Sequence, residues 1–394
     1  MIRQIILPLN IGMTRDMIAT HAGLALQGEF SVTLELLKSV NKYLPIPGSG
    51  AGYHPSEYIL PLIVMLNGGG RSLEDIRQIR ADEGLREILP LTRIPYSNAF
   101  GDCLINRGVN GGLPGLEKVN RRLLKRAMRY DEIKNYTLDI DATGIEAEKQ
   151  TATMTYKGFK GYMPIVGHLA ENGLRAGDEF REGNESPRSR NLAFITYCRK
   201  QMPKGKRITA LRSDSAAYQA EIITCGEHEG IQCATGADLD TSVLAAIGAI
   251  PEDAWKPYKH GSIAETIHSM EKTEGDFRLI VIKRPCQGTP FAHEDSSLRY
   301  TVIVTNKSES LEDVVAWHNQ QGECSENRTK ELTIGFGMEP IPCASGLEPL
   351  PTTCFGSLFS RHSSPRGLGT RFRPCGGDCI RSPVRSSFMG DRCF

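Results

Sequence analysis

Net charge is almost absent from this sequence: 47 Lys and Arg face 46 Asp and Glu over 394 residues, a formal balance of +1. A global basic field is therefore excluded, and any nucleic-acid binding has to come from local patches. Long apolar runs are missing as well. The best membrane candidate, 58–66, falls far short of a span and contains Pro61. The apolar stretch at 1–10 is too short for a secretory signal and lacks a small-residue cleavage site. The expectation is a soluble, cytoplasmic protein with no membrane partner. Tryptophan is scarce, with Trp255 and Trp317 only. Cysteine is not scarce, but cysteine pairing is. Cys103, Cys198, Cys225, Cys233, Cys286 and Cys324 stand singly and read as reduced thiols, while Cys343, Cys354, Cys375, Cys379 and Cys393 crowd the end. Cys375 and Cys379 make half of a zinc spacing that no second pair answers, so no zinc site is expected there.

What is present begins with helices. Phe30, Leu34, Leu37 and Leu44 recur at helical spacing and predict one amphipathic helix over 29–44, ended by the Pro- and Gly-rich 45–52. His54-Pro55 opens a second helix that runs through Ile59, Ile63 and Leu66 to the glycines at 68–70. Ser72 with Asp75 is a capping-box pattern for a third through Ile76. Further helices are predicted over 82–88, from Pro95-Tyr96-Ser97 through Leu104, and over 113–130. Residues 1–133 are thus expected to be an all-helical domain. The short helices within 72–106 suit a helix-turn-helix with its recognition helix at 98–106. Arg121, Arg122, Lys125, Arg126 and Arg129 form a candidate phosphate-facing stripe, making this domain a candidate for binding DNA ends. Packing of a helical domain and a solvated charged face are the competing explanations.

After Lys134 the period changes from helix to strand. In Tyr136-Thr137-Leu138-Asp139-Ile140-Asp141-Ala142-Thr143, alternation sets Tyr136, Leu138 and Ile140 on one face and Thr137, Asp139 and Asp141 on the other. Two carboxylates on one side of a central strand call for a cation or a reacting proton. Capping of the turn at Gly144 is the alternative for one of them. Strands are expected within 161–169 and around 174–180, a helix over 190–201, and a strand at 208–212 that ends in Ser213-Asp214-Ser215 before a helix over 216–228. An acid at the carboxyl end of a strand occupies the usual ligand position of open α/β sheets, although Asp214 also suits an N-cap. Phe277 and Tyr300 open further β-branched runs, and Ser310 opens a helix along which Trp317, His318, Asn319, Glu323, Glu326, Arg328, Lys330 and Glu331 are expected to lie.

Asp141, Asp214 and one glutamate beyond Ser310 are a hard-oxygen set suited to divalent cations. On these residues the chain resembles the DDE transposases of bacterial insertion sequences, most closely the insertion-sequence family numbered 1380. The resemblance is carried by His21-Ala22-Gly23-Leu24 and by 136–143, 160–169, 211–215 and 318–338. It implies an α/β fold: an RNase H-like mixed-sheet core over 134–236 and 300–340, interrupted by a β-rich insertion at 237–299 and preceded by the helical domain 1–133. It makes Asp141, Asp214 and Glu326 the catalytic, metal-holding acids, with Asp139 as a neighbouring acid. Mg²⁺, or Mn²⁺ in its place, would be the cofactor. The implied partners are double-stranded DNA, as terminal inverted repeats and target, and a second copy of the chain in the synaptic complex. The implied location is the bacterial nucleoid.

The implied reaction is cut-and-paste transposition through metal-dependent cleavage and strand transfer. An inactive DNA-binding remnant and a hydrolytic two-metal nuclease are the alternatives. Relatives of the wider group carry a Tyr, an Arg and a Lys where this chain has Asn319, Gly322 and Thr333, and Lys330 is the expected substitute for that lysine as a phosphate contact. Trp255 is a candidate for stacking on a flipped base, with burial in a core as its alternative. Residues 341–394 are expected to be an irregular tail, rich in Ser, Pro, Gly, Arg and Cys. From Ala344 onward the tail contains no Lys, which suits a shifted reading frame or, alternatively, an Arg-rich DNA-binding extension.

Overall fold

The computed structural model describes residues 19, 21–46, 52–89, 91, 93–109, 112–148, 152–285, 298–322 and 327–330. Glu326, Thr333 and the tail 341–394 lie outside them. The helical region holds α1 (Leu24–Thr33), α2 (Leu36–Tyr43), α3 (Pro55–Asn67), α4 (Ile76–Ala81), α5 (Glu83–Ile88), α6 (Ser97–Val109) and α7 (Gly112–Ala127). Local chemistry sets several of these boundaries. His54 and Glu57 close a capping box at the start of α3, Ser72 and Asp75 close another in the turn before α4, and Asp82 accepts from the Leu85 amide to start α5. Leu36, Val40, Ile59, Ile63, Val119 and Leu123 pack α2, α3 and α7 together.

One expectation fails here. The single helix predicted over 29–44 is two, because Glu35 adopts a left-handed backbone (φ 51°) between α1 and α2. That conformation costs a non-glycine residue roughly 1–2 kcal/mol. In return, the Glu35 carboxylate receives both Arg122 and Arg126 from α7. The hydrogen bond from Arg122 is the main reason this carboxyl lies below the ordinary range.

The remaining elements are β1 (Asn135–Ala142), β2 (Ile145–Glu146), β3 (Thr153–Met154), β4 (Lys160–Tyr162), β5 (Ile165–Leu169), β6 (Arg175–Glu179), α8 (Asn191–Gln201), β7 (Arg207–Ser213), α9 (Ala220–His228), β8 (Gln232–Gly236), α10 (Thr241–Gly248), β9 (Lys256–Tyr258), β10 (Gly261–His268), β11 (Phe277–Pro285), β12 (Leu298–Thr305), α11 (Leu311–Gln321) and α12 (Asn327–Lys330). A nine-stranded mixed sheet has the order β6-β5-β1-β7-β8-β12-β11-β10-β9. β1 runs antiparallel to β5 and parallel to β7, and β7 runs parallel to β8. Its first five strands have the order and directions of the RNase H-like core that the resemblance implied. The β-rich stretch after β8 lengthens this same sheet, joining it through the antiparallel pairing of β12 with β8.

Each face of the sheet has its own cover. Tyr136, Leu138 and Ile140 of β1 pack with Phe194, Ile195 and Ile222 of α8 and α9, and Leu124 of α7 joins the same cluster. On the opposite face, Val314 and Val315 of α11 pack on Ala234, Ile280 and Ile303. The helical region and the sheet therefore share a core.

Immediately after β1, a three-stranded sheet of order β2-β4-β3 forms. A Cβ on Gly161 would overlap the Ile145 carbonyl oxygen and crowd the Glu146 backbone, atoms that cannot swing aside. Gly161→Ala is expected to destabilise the protein by about 1–3 kcal/mol. Urea unfolding measures it, and an unchanged midpoint would refute the close approach.

Candidate active site

Alternation along β1 puts Asp139 and Asp141 on the α11 side of the sheet, opposite the apolar face. β7 repeats the pattern with Arg212 and Asp214. The parallel register pairs Asp139 with Arg212 and Ile140 with Ser213. The register ends there, and Asp141 and Asp214 are the residues that follow Ile140 and Ser213 at the carboxyl ends of these adjacent strands. Asp141 is half-buried and Asp214 exposed, so this end of the sheet is open to solvent. Two of the acids predicted from sequence thus lie at the carboxyl ends of neighbouring strands. Asp214 also caps the turn that follows, since its carboxylate accepts from the Ala216 amide at 3.0 Å. Capping uses one oxygen and leaves the carboxylate further acceptor positions.

Asp139 has a different task. It is fully buried and receives Arg212 Nε at 2.7 Å and Nη2 at 2.8 Å, a bidentate pair with an equally buried partner. Burial pushes the Asp139 carboxyl up, and the Arg212 guanidinium opposes that shift. The third arm of the guanidinium, Nη1, donates to the Trp317 carbonyl at 2.7 Å and to Gln320 Oε1 at 3.1 Å, both on α11. Its carbon stands 5.1 Å from the centre of the Trp317 ring.

Two more side chains of α11 reach the strand ends. His318 Nε2 donates to the Ser213 carbonyl at 3.1 Å, and Gln321 Nε2 donates to the Ile140 carbonyl at 3.1 Å. Ser213 immediately precedes Asp214, and Ile140 immediately precedes Asp141. Arg212, His318, Gln320 and Gln321 carried no assigned role in the sequence reading. The signal for Arg212 was present: a base two residues before Asp214 mirrors the acid two residues before Asp141.

Burial lowers the His318 imidazole below its ordinary 6.5. A depressed value means that its share of stability is present above pH 6.5 and is lost as pH falls below it, where the unfolded chain takes up the proton first. The melting temperature of wild type is therefore expected to drop more between pH 7.5 and 5.5 than that of His318→Gln, whose amide makes the same donation. Equal drops would contradict the assignment.

The other predicted residues are dispersed. Arg122 and Arg126 are joined to Glu35, and Arg121 donates to the Lys200 carbonyl at 2.6 Å; all three thus have partners within the chain. Lys125 and Lys330 are exposed. Trp255 is half-buried beside the cluster of Val243, Ile247 and Val281, with the Lys283 ammonium 4.2 Å from its ring centre. Asn98, Asp102 and Asn106 are exposed along α6.

Asp141 and Asp214, at the open carboxyl ends of neighbouring strands, are hard oxygen donors and fit a divalent cation in kind. Among the described residues no group of three or more His, Cys, Asp or Glu side chains is placed to hold a metal ion. The third acid predicted from sequence, Glu326, lies outside those residues. No helix among the described residues is long and apolar enough to cross a membrane.

A mixed sheet of this order and these strand directions defines an α/β protein of RNase H-like type. The family model described as transposase DDE domain, group 1, matches residues 9–348, and the chain belongs to that family. Its general activity is therefore that of a DNA transposase domain, and DDE transposases generally use divalent metal ions. Among solved structures, the cryo-EM structure of the piggyBac transposase synaptic complex with hairpin DNA is similar, at a TM-score of 0.44 and 10% identity, covering 86% of this chain and 75% of that one. A search of the curated proteins finds no match.

Proposed function

We propose that the chain cleaves and joins DNA at the ends of a bacterial insertion sequence of the family numbered 1380, with Asp141, Asp214 and Glu326 as its metal-holding acids. The observation that carries this reading is the register of β1 on β7, which supports Asp141 and Asp214 as one site. When bound, Mg²⁺ or Mn²⁺ ions supply Lewis-acid charge that favours both the attacking and the leaving oxygen of an in-line displacement. The carboxylates fix where that charge sits. The Asp139–Arg212 pair keeps the strand ends aligned, and α11 shields one face of the sheet from water. No nucleophilic Ser or Cys is needed, because water or a terminal 3′-hydroxyl attacks directly.

DNA recognition falls to the helical region. On this reading α6 enters a groove of the terminal repeat, while Lys125 and Lys330 meet phosphates. Arg121, Arg122 and Arg126 could reach DNA only with the charge left over from their internal partners. Trp255 stacks on a flipped base only if Lys283 yields its ring. Joining two ends brings two copies of the chain together. The altered composition of the tail supports a second reading, a remnant that binds terminal repeats without cutting them.

Incubation of the full chain with Mg²⁺ and DNA carrying the inverted repeats that flank the gene tests the proposal. Nicks at the repeat ends together with joined products are expected. Cleavage without joining would make the chain a nuclease, and specific binding without cleavage would make it the remnant.

A further inference from the structure

Arg212 is a buried charged group near the strand ends that carry Asp141 and Asp214, yet a metal-holding site of three carboxylates gives it no role. Its guanidinium is divided between two elements. Nε and Nη2 are spent on Asp139 within the sheet, and Nη1 is spent on the Trp317 carbonyl and the Gln320 amide oxygen of α11. A planar fork with fixed donor directions cannot satisfy both unless the helix holds one rotation and one height over β1 and β7. His318 and Gln321 read the same register independently, through the carbonyls just before Asp214 and Asp141.

A helix this firmly tied is unusual for packing alone. Val314 and Val315 already bury its apolar side, and a bidentate ion pair in the interior is seldom the most stable filling of that space. The polar contacts converge on the last turn of α11, while Val314 and Val315 pack further back along the helix.

We propose that Arg212 is a positioning residue: held by Asp139, it fixes the last turn of α11 against the ends of β1 and β7, and so sets the geometry in which Asp141 and Asp214 receive a cation. This rests on the metal-holding role of the two aspartates. Arg212 does not touch the cation. It acts through the helix and the two strand ends, as outer partners of metal ligands do, and loss of such partners typically weakens metal binding about 10–100-fold.

The test uses the full chain and two readouts, the melting temperature and Mn²⁺ affinity measured from the electron paramagnetic resonance of the free ion. Arg212→Lys keeps a charge against Asp139 but cannot keep the bonds to α11. The double variant Asp139→Asn with Arg212→Gln removes the buried charge altogether. Both are expected to fold, melting below the wild type but above Asp139→Ala, and to bind Mn²⁺ at least about tenfold more weakly. Wild-type affinity in both would reduce Arg212 to a packing role and overturn the proposal. If Arg212→Lys does not fold, Gln320→Ala decides. That residue is exposed, and unchanged affinity on its truncation would also overturn the proposal. Asp141→Ala and Asp214→Ala separate the two levels of inference. If wild-type Mn²⁺ binding survives both substitutions, the metal-holding reading itself fails, and the role of Arg212 falls with it.

Discussion

Asp141→Ala is expected to abolish cleavage of terminal-repeat DNA while leaving its binding intact. The carboxylate is half-buried near the carboxyl end of a strand whose opposite face carries the core residues Tyr136, Leu138 and Ile140. Its loss therefore leaves no cavity in that core. A ligand that fixes charge opposite a developing oxyanion contributes several kcal/mol to the transition state. At about 1.4 kcal/mol per tenfold, roughly 4 kcal/mol is a thousandfold loss of rate. The DNA contacts proposed for α6 and Lys125 lie on other elements, so the affinity for DNA should move little. Gel-shift and nicking assays on one preparation separate the two quantities. Parallel loss of binding would mean that Asp141 serves the fold or the DNA surface and not the chemistry.

Asp139→Ala is expected to act in the opposite way, through stability. It strands the Arg212 guanidinium, which is 1% exposed, without its carboxylate. Removing one partner of a buried pair costs about 3–5 kcal/mol, because a charge remains uncompensated in a low-dielectric interior. That is a large part of the stability of an ordinary domain. The urea midpoint should fall steeply for Asp139→Ala and recover substantially in the double variant Asp139→Asn with Arg212→Gln, which buries no net charge. A midpoint near the wild type for Asp139→Ala would mean that water reaches the pair. The two aspartates of β1, two residues apart on one face, would thus be distinguished by experiment: one fails in rate, the other in stability.

The sequence made this distinction only in part. Alternation alone put Asp139 and Asp141 on one side of β1, and a strand-to-helix change put Asp214 at a carboxyl end, because both signals are local. Capping boxes at His54 and Ser72 located helix starts for the same reason. The pairing of Asp139 with Arg212 was not legible, since it depends on a register between strands far apart in sequence. Nothing local marks Glu35 as a left-handed break either. Its position becomes intelligible only once Arg122 and Arg126 of α7 are seen to converge on it. Those arginines also show the weakness of reading a charge stripe as a DNA surface, because a helix face that looks solvated in sequence here closes a contact between helices. The stretch after β8 had recognisable strands, but whether they formed a separate module or extended the main sheet was fixed by the pairing of β12 with β8, again a long-range choice.

The central claim is that Asp141 and Asp214 hold one divalent cation used in DNA cleavage, and a metal-switch experiment tests it most directly. In Asp141→Cys and in Asp214→Cys a thiolate replaces a carboxylate, a softer ligand that tolerates Mn²⁺ better than Mg²⁺. Each variant is predicted to leave terminal-repeat DNA uncut in Mg²⁺ and to regain nicking in Mn²⁺, while wild type cuts in both. Nicking by the cysteine variants that is indifferent to the metal supplied, or a wild-type chain that cuts in neither, would contradict the account.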